Sequence, residues 1–171
     1  MKITILAFTA IAILGSVICN AQAIDKENIP GHYVYSSLIF DSPVDVNNDG
    51  IASREFEYEA DACALDIHYD LYPDGTGKYT VGMQQKNCKI KQEIAIKWKI
   101  KDGKIRQRVK ATGKVEEVIK TFLIITDSDG FDPTPYEIVE QSKNKLTLRG
   151  EFPDGSDSTT SGNLKLKKNT K

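Results

Sequence analysis

Residues 93–100 read EIAIKWKI, and apolar side chains alternate in this stretch with mostly charged ones. The apolar members are Ile94, Ile96, Trp98 and Ile100. Because successive side chains of an extended chain point to opposite faces, a period of two predicts a half-buried antiparallel strand. One face should lie against a core and the other should face solvent.

The same alternation recurs on both sides of this stretch. It is clear in residues 65–72 and 145–149, and further strand candidates cover residues 33–40, 78–84, 104–110, 118–126, 136–141 and 163–167. Residues 53–60 are rich enough in Glu and Ala to predict a short helix. On the polar side of residues 65–72, His68 alternates with Asp66 and Asp70, and we expect a surface histidine between two carboxylates.

Turn-forming sequences separate several predicted strands. Pro73-Asp74-Gly75, Asp102-Gly103 and Pro153-Asp154-Gly155 combine residues that tolerate the backbone angles of a hairpin. Asp102-Gly103 lies between two alternating runs, so it is predicted to form the tightest hairpin. Since closure of a sheet removes its exposed edges, the pattern predicts an all-β fold, an antiparallel up-and-down barrel of about eight strands.

The N-terminal residues have the features of a secretory signal peptide. Lys2 gives a basic start, residues 3–18 form an apolar run without a charge, and Ala21-Gln22-Ala23 is a small-x-small cleavage site. We therefore predict a signal peptide at residues 1–23, a folded domain at residues 24–171, and export to the periplasm or the extracellular space.

Cys19 at the end of the apolar run leaves a second route open. A cysteine there is the acylated first residue of a lipoprotein if lipoprotein processing occurs. Ile18 before it is bulky, whereas lipoprotein processing generally requires a small residue, so ordinary cleavage after Ala23 is favoured. Either route removes Cys19 from the folded domain and leaves Cys63 and Cys88 as a pair.

In an oxidising compartment this pair is predicted to form a disulfide. Closing a loop of about 25 residues contributes on the order of 3 kcal/mol in the chain-entropy model. A zinc site is disfavoured because His32 and His68 are the only histidines available as further ligands. A structural disulfide is therefore the preferred interpretation.

Charge and hydropathy narrow the class of partner. The formal net charge is -1, and loss of Lys2 makes the mature chain slightly more acidic. A near-neutral chain lacks the basic surface of a nucleic-acid-binding protein. No second apolar run follows the first, so no integral membrane segment is expected in the mature chain. The oligomeric state is not predicted.

The order of these features resembles the lipocalin-like domains of small exported bacterial proteins. The features are Gly31-His32-Tyr33 where the family has Gly-x-Trp, an Asp-rich insertion after the first strand, Cys63, the sequence LYPDGTG at residues 71–77, Cys88 and then Trp98. The resemblance covers most of the mature chain. It implies an up-and-down barrel that often encloses a small apolar molecule.

The apolar faces of the predicted strands supply candidates for such an interior. They are Tyr69, Tyr79, Met83, Ile94, Ile96, Trp98, Ile105 and Val109. An alternative stays open, because an eight-stranded barrel is just wide enough to be packed solid by its own side chains.

Residues 45–50, DVNNDG, match the first half of an EF-hand calcium loop. The predicted calcium ligands are Asp45, Asn47, Asp49, the carbonyl of Ile51, and Ser53 at the ninth position. The twelfth position, which normally carries a bidentate Glu, is Phe56, with Glu55 and Glu57 beside it. The alternative is a solvated turn, because Asp and Asn readily bond their own backbone.

The leading functional hypothesis is therefore a non-enzymatic exported protein that binds a small apolar or amphipathic ligand inside a lipocalin-like barrel. The alternative is a surface interaction module for a protein or glycan, stiffened by the disulfide and dependent on calcium if the Asp45 loop binds it. No catalytic residue is assigned, because no nucleophile, base and metal assemble in the sequence. The interior and the Asp45 loop are the two candidate sites.

Overall fold

The structure is a computed structural model that describes residues 24–89, 91–108, 113–127, 133–153 and 158–169. These ranges contain two 3₁₀ turns, Lys26–Asn28 and Phe56–Tyr58, and nine strands: β1 (Gly31–Val44), β2 (Ser53–Glu55), β3 (Ile67–Leu71), β4 (Thr76–Val81), β5 (Gln92–Arg108), β6 (Val115–Asp127), β7 (Thr134–Ser142), β8 (Lys145–Pro153) and β9 (Thr159–Lys168). The predicted all-β class is confirmed. The predicted signal peptide, including Cys19, lies outside the described residues.

All nine strands belong to one antiparallel sheet that closes into a ring. Their hydrogen-bonded order is β2-β1-β3-β4-β5-β6-β7-β8-β9, and β1 pairs with β9 to close the sheet. β2 pairs with the second half of β1 and adds to its edge, while the other eight strands form the ring. The predicted succession of neighbouring antiparallel strands is therefore confirmed.

Residues 24–30, which we call the N-terminal segment, cover the end of the ring where β1 begins and β9 ends. We call this end the sealed end. Ile29 is completely buried, and its carbonyl accepts a 2.7 Å hydrogen bond from the hydroxyl of Tyr33. The backbone N–H and carbonyl of Asp25 bond the side-chain amide of Gln141 on β7, and Lys26 pairs with Asp102 on β5. Because these contacts reach two separate strands, the segment crosses the ring and seals this end.

Gly31 allows the last strand to pack against this seal. A Cβ at Gly31 would lie 2.2 Å from Cε of Lys168, so any larger residue would displace that side chain. The Lys168 amine lies 5.6 Å from the centroid of the Tyr33 ring and donates to the Asn28 carbonyl at 2.9 Å. Burial raises the pKa of Tyr33 to about 12, so its hydroxyl stays protonated as a donor at neutral pH.

The predicted hairpin at Asp102-Gly103 is wrong. Both residues lie inside β5, where they pair with Thr121 and Lys120 of β6. Asp102 accepts hydrogen bonds from the side chains of Thr121 and Lys26, and Gly103 leaves room for the ring of Phe122, which would lie 3.2 Å from an added Cβ. Packing against neighbouring elements therefore explains why this dipeptide lies within a strand, although local propensity assigns it to a turn.

β5 and β6 instead extend beyond the sealed end as a two-stranded arm. We use the name β5–β6 arm for residues 99–108 and 115–121, which pair with each other and with no third strand among the described residues. The connection lies between Arg108 and Val115. Ile119, on this arm, is 72% exposed.

Two local predictions in the loops have different outcomes. The turn at Pro73-Asp74-Gly75 is confirmed: Gly75 has a φ of 83° and its N–H bonds the Tyr72 carbonyl. The predicted helix at residues 53–60 is instead the short strand β2 followed by a 3₁₀ turn. The end of the third predicted turn, Asp154-Gly155, lies outside the described residues.

The predicted disulfide between Cys63 and Cys88 is confirmed. It joins the segment before β3 to the segment after β4, with the two Cα atoms 5.6 Å apart. Both segments lie at the end of the ring opposite the seal, so the bond fastens the β3–β4 hairpin there.

Among the described residues, no helix has the length and apolar character needed to cross a membrane.

Candidate functional site

A cavity of about 550 Å³ lies inside the ring at the end opposite the seal. Every strand of the ring contributes to its wall, and the β1–β3 connection adds Val46 and Phe56. The strand residues that line it are Tyr35, Leu38, Ile67, Tyr69, Tyr79, Ile94, Ile96, Ile125, Asp127, Thr134, Tyr136, Phe152, Pro153 and Leu164. The wall is therefore mainly aliphatic and aromatic, with a few polar atoms.

The structure brings four of the eight predicted interior residues together in this wall, namely Tyr69, Tyr79, Ile94 and Ile96. Trp98 lies toward the sealed end, where its indole N–H donates to two backbone carbonyls, while Ile105 lies on the β5–β6 arm. Met83 follows β4 and is 43% exposed. Val109 lies outside the described residues.

Several wall residues are missing from the sequence prediction. Tyr136 and Ile125 lie in predicted strands, so extending the period-two analysis to those strands would have found them. Periodicity does not reveal Val46 and Phe56, because they lie in the irregular β1–β3 connection. They line the cavity because this connection passes beside it. The cavity is therefore partly built by a segment whose sequence predicts only a loop.

Tyrosines give the cavity its polar character. The rings of Tyr69 and Tyr79 lie 4.9 Å apart, and Tyr136 is near enough to influence the ionisation of both. Burial raises the pKa of Tyr79 to about 12 and that of Tyr136 above its ordinary value. Burial, then the neighbouring tyrosines, raise the pKa of Tyr69 further. All three hydroxyls therefore stay neutral at physiological pH and can act as hydrogen-bond donors or acceptors.

Further polar groups lie at the rim. Asp127 at the end of β6 and Thr134 at the start of β7 belong to the wall. Tyr35 lies on the opposite side, where burial, followed by the nearby carboxylate of Glu57, raises its pKa above the ordinary value. An apolar interior with polar groups at its rim can hold a molecule that has a hydrocarbon body and one polar group.

The expected surface histidine is wrong. His68 is 8% exposed and Asp66 is 9% exposed, and residues of both disulfide-linked segments, among them Leu65, Gln84 and Gln85, lie around them. His68 Nε2 lies 2.7 Å from Asp66 Oδ1, and the other oxygen of Asp66 accepts the backbone N–H groups of Gln84 and Gln85. Asp66 therefore joins the segment before β3 to the segment after β4, alongside the disulfide.

These contacts change the ionisation of Asp66. Burial by itself raises its pKa, but the hydrogen bonds from His68 and from two backbone amides outweigh burial and leave the pKa below its ordinary value. A second imidazole–carboxylate pair, His32 with Asp70, lies beside the first, and the two imidazole rings stack at 5.4 Å. The outer face of β1 and β3 thus holds an ordered polar cluster that sequence alternation assigns to solvent.

The predicted calcium loop folds as a compact turn. The carboxylate of Asp45 accepts the N–H groups of Asp49 and Gly50, and Asp49 accepts the N–H of Ile51. Asn47 bonds the backbone and side chain of Asp49. The hydroxyl of Ser53 bonds the backbone of Glu55 instead of facing the loop, and the side chain of Ile51 is 71% exposed.

The structure adds a carboxylate that the EF-hand pattern does not contain. Oxygen atoms of Asp45, Asp49 and Glu59 all lie within 4.8 Å of one another. Glu59 follows the 3₁₀ turn Phe56–Tyr58, and its backbone N–H caps that turn by bonding the Phe56 carbonyl. Because the turn shifts the register, the carboxylate comes from Glu59 and not from the positions beside Phe56.

Comparisons with models of protein families, with curated proteins and with solved structures find no match for this chain.

Proposed function

We propose that the protein is an exported, non-enzymatic carrier with a lipocalin-like barrel, and that it binds a small apolar or amphipathic molecule in the cavity. The observation that supports this function is the cavity of about 550 Å³ inside the ring, with a wall that combines apolar side chains and neutral tyrosine hydroxyls. Its size lies within the range of about 300–1,000 Å³ that is typical of small-molecule sites.

The wall also indicates how a ligand would be held. Transfer of a hydrocarbon from water into this space is favourable by about 25 cal/mol per Å² of apolar surface buried. Tyr69, Tyr79 and Tyr136 provide hydroxyl groups that can orient one polar group of the ligand. The ligand class is therefore a molecule with a compact apolar body and a small polar group.

Export is supported by two independent features of the chain. The N-terminal sequence has the pattern of a signal peptide. The disulfide between Cys63 and Cys88 is of a kind that persists in oxidising compartments. A carrier of apolar molecules is useful there because such molecules are poorly soluble in water.

A second candidate function is a surface interaction module for a protein or glycan. Two large side chains in the β1–β3 connection favour it, because Ile51 is 71% exposed and Tyr58 is 75% exposed. Exposed large apolar side chains can form part of a contact surface for a partner. This function would use the outside of the connection, whereas the carrier function uses its inner face at Val46 and Phe56.

Native mass spectrometry of protein purified without refolding tests the proposed function. A carrier should retain a small molecule whose mass is lost after denaturation, or should bind added fatty acid with a stoichiometry of one. A bare mass together with no uptake of fatty acids or other amphipathic probes would contradict it.

A further inference from the structure

We infer that Asp45, Asp49 and Glu59 form a calcium site that differs from the EF-hand pattern of the loop. One carboxylate oxygen from each residue lies within 4.8 Å of the other two. Oxygens bound to a single calcium ion at about 2.3–2.6 Å are at most about 5 Å apart. The three carboxylates are therefore already close enough to share one ion.

Glu59 is the observation that separates this site from an ordinary acidic turn. The residue is only 6% exposed, and its Oε2 atom is buried without a hydrogen-bond partner among the described residues. A buried carboxylate oxygen without a partner is unfavourable, whereas a bound cation satisfies it. Asp45 and Asp49 could be explained by their backbone contacts alone, but Glu59 could not.

The charges at the site point to a cation as the missing partner. None of the ion pairs between described residues involves Asp45, Asp49 or Glu59, so no described lysine or arginine neutralises their negative charges at close range. The ligand atoms are all carboxylate oxygens, which hard cations prefer over nitrogen or sulfur. Calcium fits better than magnesium, because it accepts carboxylates in irregular geometry whereas magnesium demands a near-ideal octahedron.

The loop around the site is shaped for this role before the ion arrives. Asp45 and Asp49 are oriented by the backbone N–H groups that they accept, and each carboxylate retains further lone pairs for a metal. Gly50, with a φ of 87°, makes the turn that returns the chain toward β2. The ion would therefore join the turn after β1 to the residue after the second 3₁₀ turn.

Calorimetric titration of the full mature chain with calcium chloride, after treatment with a chelator, tests this site directly. We expect one ion per chain and a higher melting temperature in about 1 mM calcium than in chelator. Glu59→Gln keeps the shape of the side chain but removes its charge, and should weaken calcium binding about tenfold or more. Equal melting curves for the wild-type protein with calcium and with chelator would overturn the inference.

Two matched controls separate this site from the EF-hand register. Glu55→Gln and Glu57→Gln make the same substitution in the same connection, beside the twelfth position of the EF-hand pattern, and should leave calcium affinity unchanged. Calcium binding that is lost in either control but kept in Glu59→Gln would also overturn the inference. If Glu59→Gln does not fold, Glu59→Asp takes its place: its shorter side chain withdraws the carboxylate from Asp45 and Asp49, and the same loss of affinity is expected.

Discussion

The two ends of the ring are built in different ways from the same strands. At the sealed end, Leu146 and Leu166 are completely or almost completely buried and pack with Ile29 of the N-terminal segment. At the other end, the same strands surround a cavity of about 550 Å³. Side chains that alternate with the same period therefore produce a solid core at one end and a hollow at the other.

The hollow end uses other contacts in place of close packing. The disulfide between Cys63 and Cys88 and the hydrogen bonds of Asp66 fasten the β3–β4 hairpin there. The proposed calcium site would fasten the β1–β3 connection in the same region. Covalent and polar contacts of this kind can hold a wall in place without filling the space behind it, which is what a binding cavity requires.

Truncating one side chain at each end should give the largest contrast in stability. Leu146→Ala leaves a hole in a packed core and should cost about 2–5 kcal/mol of unfolding free energy. Ile94→Ala removes atoms of a side chain that borders the cavity and is 37% exposed, so it should cost about 1–2 kcal/mol. Denaturant unfolding of both variants measures the difference. Equal costs would mean that the two ends are packed alike.

Removing the disulfide should weaken the hollow end. The double variant Cys63→Ser, Cys88→Ser should lose on the order of 3 kcal/mol, because the unfolded chain regains the freedom of a loop of about 25 residues. Because β3 and β4 also become free to open locally, the increase in hydrogen-exchange rate should be larger in these strands than in β8 and β9. Uniformly faster exchange across all strands would show that the bond stabilises the whole ring and not this end.

Asp66 should make stability depend on pH at the hollow end. Its pKa is lowered in the folded state, so its contribution is present above the unfolded value of about 3.9 and is lost as pH falls through the folded pKa. Asp66→Asn should therefore be less stable than the wild type at pH 5, and the difference should shrink at pH 3. Denaturant unfolding at both pH values measures it; a constant difference contradicts this assignment.

Calcium should have the smallest of these effects. It should act on ligand binding through the β1–β3 connection, which forms part of the cavity wall and carries the proposed site. Val46 follows Asp45, and Phe56 precedes Glu59 by three residues, so an ion at these carboxylates would steady both cavity residues. This expectation rests on the proposed function as well as on the calcium site. Calcium should raise the affinity for an amphipathic fluorescent probe about fivefold, the lower end of typical coupling. An unchanged affinity for the probe, with calcium binding intact, would show that the ion does not influence the cavity.

The sequence predicts the part of the fold that depends on periodicity and on compartment. Alternation in residues 65–72 and 93–100 predicts the strands β3 and β5. The disulfide is predicted because Cys63 and Cys88 are the two cysteines left in the folded domain. The alternation is local in the sequence, and the disulfide prediction depends on the number of cysteines, so neither requires knowledge of the tertiary contacts. Four of the cavity residues were found in the same way.

The features that the sequence does not reveal depend on contacts between distant parts of the chain. Asp102-Gly103 has the composition of a turn, but Lys26 and Phe122 pack against it within a strand. His68 alternates like a solvent-facing residue, but residues of the two disulfide-linked segments lie around it and it is buried. Glu59 lies three residues beyond the twelfth position of the EF-hand pattern, and only the 3₁₀ turn before it places its carboxylate beside Asp45.

If the ring holds an apolar ligand at its hollow end, as we propose, a side chain that fills the hollow should weaken the binding of an apolar probe. Ile94→Trp places a large ring in the cavity wall, whereas Ile119→Trp makes the same change on the exposed β5–β6 arm. Titration with 1-anilinonaphthalene-8-sulfonate measures both variants against the wild type. We expect the affinity for this probe to fall about tenfold or more in Ile94→Trp, a loss of about 1.4 kcal/mol, and to be unchanged in Ile119→Trp. Unchanged affinity in folded Ile94→Trp, or an equal loss in both variants, would contradict it.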